Sequence, residues 1–174
     1  MTTENIMKLD DFVESVLEGR KDFRCIRLVN NEGEANFVPL DTHPSYKEML
    51  KYLKDHSKGI TLDDSIFSMS AKGLYLRDLF RAVRTIFNGS DLRNSCFGGD
   101  LSYSVFRATD LRGANLSEAY VEGANFVGAD LRGVKGLESV RRLGQAIYDS
   151  TTTVTTKEKS IIKKAMEGMF RVVE

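Results

Sequence analysis

Few residues in this chain could do chemistry alone. His43 and His56 are the only histidines, Cys25 and Cys96 the only cysteines, and Asp63-Asp64 is the strongest adjacent acid pair. A metal site would need these groups at ligand spacing, and a nucleophile would need a base within reach. Neither arrangement can be found, and there is no Cys-x-x-Cys, nucleophile elbow or phosphate loop. His43 precedes Pro44 and reads as a turn or cap residue. His56 lies near a helix C-terminus, where an imidazolium suits the dipole. In an extended segment Asp63 and Asp64 point to opposite sides, which argues against a shared acid–base site. Cys25 and Cys96 read as buried structural thiols rather than reactive ones. Asn88-Gly-Ser and Asn115-Leu-Ser match a glycosylation acceptor pattern, which means nothing without secretion. The expectation is no catalytic residue, no cofactor, no metal and no enzyme.

Spaced charges are the better candidates. Asp-Leu-Arg occurs at Asp91–Arg93, Asp110–Arg112 and Asp130–Arg132, at intervals of 19 and 20 residues. If residues about 20 apart stack, the aspartates form one column and the arginines another two positions along. Like charges stacked at strand spacing repel, and adjacent opposite columns relieve this by diagonal pairing. The face reads either as a self-compensating solvated surface or as a charged platform for a partner. Tyr103 and Tyr120 are expected to point outward beside it, and exposed Tyr and Arg are favoured at interfaces. The candidate partner surface is Arg93, Tyr103, Asp110, Arg112, Tyr120, Asp130 and Arg132.

The elements that must carry these residues have a period of five. Leu101, Phe106, Leu111, Leu116, Val121, Phe126 and Leu131 are five apart, each preceded at two residues by a small one, from Gly99 to Ala129. The residue between is Asp or Asn except at Val105 and Tyr120. Helices repeat at 3.6 and strands at 2, so a beat of five signals stacked units. One residue is missing near Gly98-Gly99, which accounts for the interval of 19.

Small–(Asp/Asn)–(Leu/Phe)–x–x over seven consecutive units resembles the pentapeptide-repeat proteins. The resemblance implies a mainly β fold: a right-handed parallel β-helix, roughly square, with four pentapeptides per coil. The large central residue and the small one two before it would point inward. Phe106 would then stack on Phe126, and Leu111 on Leu131.

Away from this run the beat is interrupted. Residues 6–18 read as an amphipathic helix through Leu9, Phe12, Val13, Val16 and Leu17, suited to covering an open solenoid end. Phe23 and Leu28 resemble an opening coil, and Glu34–Phe37 another unit. Helical stripes are expected at 44–57 and 74–87, with the repeat returning between them at Leu62 and Phe67. The domain reading is a capping helix at 1–19, an interrupted repeat at 20–133 with helical insertions near 44–57 and 74–87, and a C-terminal cap at 134–174. A separate small α/β unit at 20–87 is the alternative. After Gly133 the beat fails. Leu137, Val140 and Leu143 fit a short helix, and Thr155–Glu158 is a capping box opening a terminal amphipathic helix.

Net charge is zero, and Ser90–Lys135 carries six acids against five bases. That argues against a general binder of nucleic acids or anionic membranes. No apolar run is long enough to span a membrane, and the N-terminus lacks a signal-peptide pattern. Two unpaired cysteines suit a reducing cytoplasm. The functional expectation is a protein–protein interaction or scaffold module with an unidentified protein partner. The C-terminal end reads as a cover for the last coil, and the resemblance supplies homodimerisation through it as the alternative. The resemblance supplies an alternative: a DNA-mimicking modulator of a type II topoisomerase, DNA gyrase. Relatives that do this use a long, strongly acidic rod, and this repeat is short and near neutral.

Overall fold

The structure is a computed structural model, and it describes residues 5–29, 40–56, 59–67, 69–76 and 81–169. Its centre is a stack of coils joined by parallel backbone bridges, which fall into four columns. The first wall runs Asp22, Thr61, Arg81, Asp100, Tyr120, Arg141, and the second Arg27, Ile66, Ile86, Val105, Asn125, Ile147. The third wall runs Ser70, Asp91, Asp110, Asp130, Thr153, and the fourth Tyr75, Cys96, Asn115, Lys135. Among the described residues, two walls hold paired strands longer than a single bridge. The strand β1 (Asn5–Lys8) lies parallel to β2 (Ile26–Val29), and β3 (Tyr75–Leu76) lies parallel to β4 (Cys96–Phe97).

Up to the last coil, the residue after each bridge position points into the bore. Phe23, Leu62, Phe67, Phe87, Leu92, Phe97, Leu101, Phe106, Leu111, Leu116, Val121, Phe126 and Leu131 are all buried. On the second wall the rings form a continuous pile. Phe67 lies 6.2 Å from Phe87, Phe87 5.0 Å from Phe106, Phe106 5.2 Å from Phe126, and Phe126 5.7 Å from Tyr148, all near-parallel. The expected stacking of Phe106 on Phe126 is therefore present.

The small inward column does more than leave room. Where it holds Ser or Thr, the hydroxyl reaches back to the coil before. Ser65 Oγ donates to Phe23 O at 2.7 Å, Thr85 Oγ1 to Leu62 O at 2.7 Å, Ser90 Oγ to Phe67 O at 2.9 Å and Thr109 Oγ1 to Phe87 O at 2.8 Å. Ser65, Ser90 and Ser104 also accept backbone N–H groups, from Ile26, Met69 and Thr85. From Ala114 to Ala129 the same slots hold alanine, and consecutive coils close without such bridges.

Four expectations need correction. Residues 6–8 are strand rather than helix, because the first coil offers β2 as an unpaired edge; the helix α1 is Leu9–Leu17. Residues 74–87 do not form a helix. Tyr75–Leu76 is β3, and Arg81–Phe87 keeps the five-residue beat with Ala82 and Phe87 buried. The apolar residues there fit either period, and backbone partners on both sides decide for the coil: Arg81 pairs with Thr61 and Asp100, Ile86 with Ile66 and Val105. Arg77, Leu79 and Phe80 fall outside the described residues, as does the unit expected at Glu34–Phe37. The boundary expected at 133 lies inside the stack, because one further coil follows with sides six residues long at Lys135, Arg141, Ile147 and Thr153. Lastly, Leu137, Val140 and Leu143 do not make one helix. The 3-10 turns Leu137–Ser139 and Leu143–Gln145 take up the longer sides and bury Leu137 and Leu143.

Helices close both ends. Phe12 of α1 sets its ring edge-on to Phe23 at 5.1 Å and Phe67 at 5.6 Å, which seals the bore. The helix α2 (Tyr46–His56) buries Tyr46, Met49 and Leu53 and packs beside α1 and β3. Coil residues resume before it: Asp41 N–H donates to Ser70 O, and Leu40 is fully buried. At the other end α3 (Thr156–Met169) lies on the Leu143–Gln145 turn. The capping box forms, with Glu158 Oε2 accepting Thr155 N–H at 2.7 Å and the Thr155 hydroxyl as well.

Candidate functional site

The residues best able to do chemistry are spent on structure. His43 Nδ1 accepts Ser45 N–H at 3.1 Å, so its Nε2 donates to Asp10 Oδ1 at 3.0 Å; this is the turn role expected. His56 donates Nδ1–H to Tyr52 O at 2.9 Å and stacks on the Tyr52 ring. Asp63 and Asp64 diverge. Buried Asp63 accepts Val83 N–H at 2.8 Å and Arg81 Nε at 2.5 Å, while Asp64 takes a two-pronged bond from Arg84 at 2.6 and 2.7 Å. Cys25 and Cys96 are half-buried and not bonded to each other. Among the described residues no group of three His, Cys, Asp or Glu side chains could hold a metal ion.

The third wall brings the Asp-Leu-Arg triplets into one charged column. In each, the aspartate's bridge position sends its carboxylate outward, and the arginine two residues on folds back over it. Arg93 donates to Asp91 at 2.8 and 2.7 Å, Arg112 to Asp110 at 2.9 and 2.6 Å, and Arg132 to Asp130 at 2.9 and 2.6 Å. The arginines also reach diagonally to the next coil. Arg93 Nε lies 3.6 Å from Asp110, and Arg112 Nε 3.6 Å from Asp130. Lys72 continues the column toward the N-terminus, 2.9 Å from Asp41 and 3.4 Å from Asp91. Sequence reasoning missed this first rung, because Lys72 and Asp41 lie outside any Asp-Leu-Arg triplet.

Hydrogen bonds from the guanidinium two residues on hold Asp91 and Asp130 below the ordinary carboxylate value, with burial opposing. The same arrangement at Asp22–Arg24 lowers Asp22 to about 2. Each arginine is lifted in turn, first by its hydrogen bond to the aspartate.

The two tyrosines sit on another side. Tyr120 occupies a bridge position on the first wall and is half-buried, while Tyr103 is 54% exposed. Both donate to one carboxylate: Tyr103 Oη to Glu122 Oε1 at 3.2 Å and Tyr120 Oη to Glu122 Oε2 at 2.7 Å. Gly123 is needed beneath Tyr103, since a Cβ there would come within 2.5 Å of the ring. The seven candidate residues thus divide into an Asp/Arg column and a separate Tyr–Glu cluster. Glu122, which sequence reasoning left out, is what joins the tyrosines.

No helix among the described residues is long and apolar enough to cross a membrane. No curated protein matches the chain. Among solved structures it is similar to a pentapeptide repeat protein, Rfr23, from the cyanobacterium Cyanothece 51142. That match has 27% identity over 55% of this chain and a TM-score of 0.29, and the chain spans 61% of that relative's length. It is also similar to a trypsin-treated form of QnrB1, a plasmid-mediated fluoroquinolone resistance protein, at 18% identity over 66% of this chain and 73% of that one, with a TM-score of 0.31. The family model for pentapeptide repeats matches residues 100–135 in eight copies. That matched stretch lies inside the four columns of bridges and is similar to pentapeptide repeats.

Proposed function

We propose that this is a non-enzymatic interaction module, a four-walled, right-handed parallel β-helix that presents its third wall to a protein partner. The supporting observation is the column of Asp91, Arg93, Asp110, Arg112, Asp130 and Arg132. Each side chain is fixed by ion pairs within and between coils, so little side-chain entropy is lost when a partner meets it. A preorganised charged face gives specificity and steers encounter more than it adds affinity. Tyr103 and Tyr120 supply a second contact patch of the kind favoured at interfaces.

The test is affinity capture from the native host with wild-type protein and the double variant Arg112→Glu/Arg132→Glu. A partner retained by wild type and lost from a variant that melts normally supports this face. Equal capture by both removes it. A homodimer formed through the C-terminal end would cover exposed Ile147 and Met166, and sedimentation across a concentration series reads it. Modulation of DNA gyrase by imitating DNA needs a run of unneutralised acid. Here Asp91, Asp110 and Asp130 are each forked by an arginine. A supercoiling assay that responds to stoichiometric protein would favour gyrase over the present reading.

A further inference from the structure

The charged column of the third wall begins on an anion, Asp41, and ends on a cation, Arg132. Every cation before its end touches two carboxylates, one in its own coil and one in the next: Lys72 with Asp41 and Asp91, Arg93 with Asp91 and Asp110, Arg112 with Asp110 and Asp130. Among the described residues Arg132 pairs with Asp130 alone. The next-coil position in its column is held by Thr153, the bridge partner of Asp130. The register there is the one that places the aspartates. Thr153 N–H donates to Ala129 O and Thr153 O accepts from Leu131 N–H, as Asp130 N–H donates to Thr109 O and Asp130 O accepts from Leu111 N–H. Thr153 is exposed, and its hydroxyl makes no hydrogen bond among the described residues, whereas Thr151, Thr152 and Thr155 spend theirs on Asp149, Phe126 O and Glu158.

We propose that Thr153 is a phosphorylation site whose phosphate completes the column by pairing with Arg132. Magnitude chooses between this and a partner's carboxylate. A single half-exposed cation gains only about 0–1 kcal/mol from a free acid, too little to hold one against the entropy of association. An anion carried on the chain's own next coil bears no such loss and sits at a high effective concentration. The threonine Oγ1 attacks the terminal phosphorus of a nucleoside triphosphate held by a protein kinase. The new O–P bond forms, the bond to the nucleoside diphosphate breaks, and the hydroxyl proton leaves to the kinase's base. The product carries about −1.5 to −2 charge beside the cation on which the column ends. Asp130, the bridge partner of Thr153, is already neutralised by Arg132 and Arg112. Of the acids beside it in sequence, Asp149 is held by Thr151, and Glu158 by Gly133 N–H and Thr155. The helix α3 begins three residues on, and its N-terminus favours an added anion. This inference does not depend on the partner reading.

The test uses the full chain with phosphothreonine incorporated at 153, alone and combined with Arg132→Ala. Phosphorus NMR against pH should give a second phosphate pKa lower by about 0.5 unit or more in the single form than with Arg132→Ala, and a higher melting temperature than the unmodified chain. Equal phosphate titration with and without Arg132, or a lowered melting temperature, overturns the pairing. Peptide-level mass spectrometry of protein recovered from its host reads the modification itself. Phosphate on Thr153 supports the proposal, and phosphate only on neighbouring threonines, or on none, overturns it.

Discussion

Replacing Phe106 with alanine tests whether the four walls share one bore. Phe106 is fully buried and lies between Phe87 at 5.0 Å and Phe126 at 5.2 Å, with Phe97 edge-on at 6.3 Å. A buried phenylalanine removes on the order of 150 Å² from water, which at about 25 cal/mol per Å² is worth about 4 kcal/mol. Alanine keeps about 1 kcal/mol of that, and two lost stacked neighbours add about 0.5–1.5 kcal/mol each. The tube is closed by backbone bridges above and below, so the hole cannot collapse. The expected cost is about 4–6 kcal/mol, at or above the upper end for Phe→Ala in filled cores. Phe106→Leu is the control. Leu101 and Leu111 already plug the neighbouring walls at the same depth, so leucine keeps most of the buried area and should cost about 1–3 kcal/mol, the two lost ring stacks. Urea melts give the global change. Native-state hydrogen exchange gives its location, since stacked coils can uncouple from one another. The Phe106 N–H, bonded to Asn125 O at 2.7 Å, and the Asn125 N–H, bonded to Ser104 O at 2.8 Å, should lose protection together. An alanine variant within about 1 kcal/mol of wild type would refute the shared bore.

Three further outcomes are expected. Arg112→Ala should change stability by no more than about 0.5 kcal/mol in a thermal melt, because Asp110 keeps Arg93 and Asp130 keeps Arg132; a loss several times larger would mean the column is structural rather than a display surface. Ser90→Ala should cost about 1–3 kcal/mol by urea denaturation despite its small volume, because Met69 N–H and Phe67 O lose their partner in a dry interior; a neutral result would show that water reaches them. Asp22, Asp91 and Asp130 have folded pKa values below the unfolded value of 3.8, Asp22 reaching about 2. With the folded values depressed, their contribution is complete above the unfolded pKa and disappears as pH falls through the folded ones. Melting temperature should therefore drop between about pH 4 and pH 2, by less in high salt because screening has already weakened the ion pairs; a flat profile would show that the arginine pairing adds no stability.

The sequence by itself determined the repeat. Large residues five apart with small ones two before them allow one packing in a narrow tube, and the column from Leu101 to Leu131 is buried as the count requires. The missing residue near Gly98-Gly99 was legible too, since Asp91↔Asp110 spans 19 residues and Asp110↔Asp130 spans 20. So was the stacking of the Asp-Leu-Arg triplets, because residues at equal phase on neighbouring coils must lie side by side. Tertiary structure decided where the apolar spacing fits two periods or where partners come from distant segments. Residues 81–87 fit a helical stripe on their own and become coil because Thr61, Ile66, Asp100 and Val105 offer backbone partners on both sides. The last coil escapes a count of five because its sides are six residues long, with 3-10 turns absorbing the excess at Leu137–Ser139 and Leu143–Gln145. Lys72 and Asp41 join the charged column across 31 residues of chain, and Glu122 gathers two tyrosines from different coils. No local pattern encodes such meetings, because they depend on how many residues each coil spends between its corners.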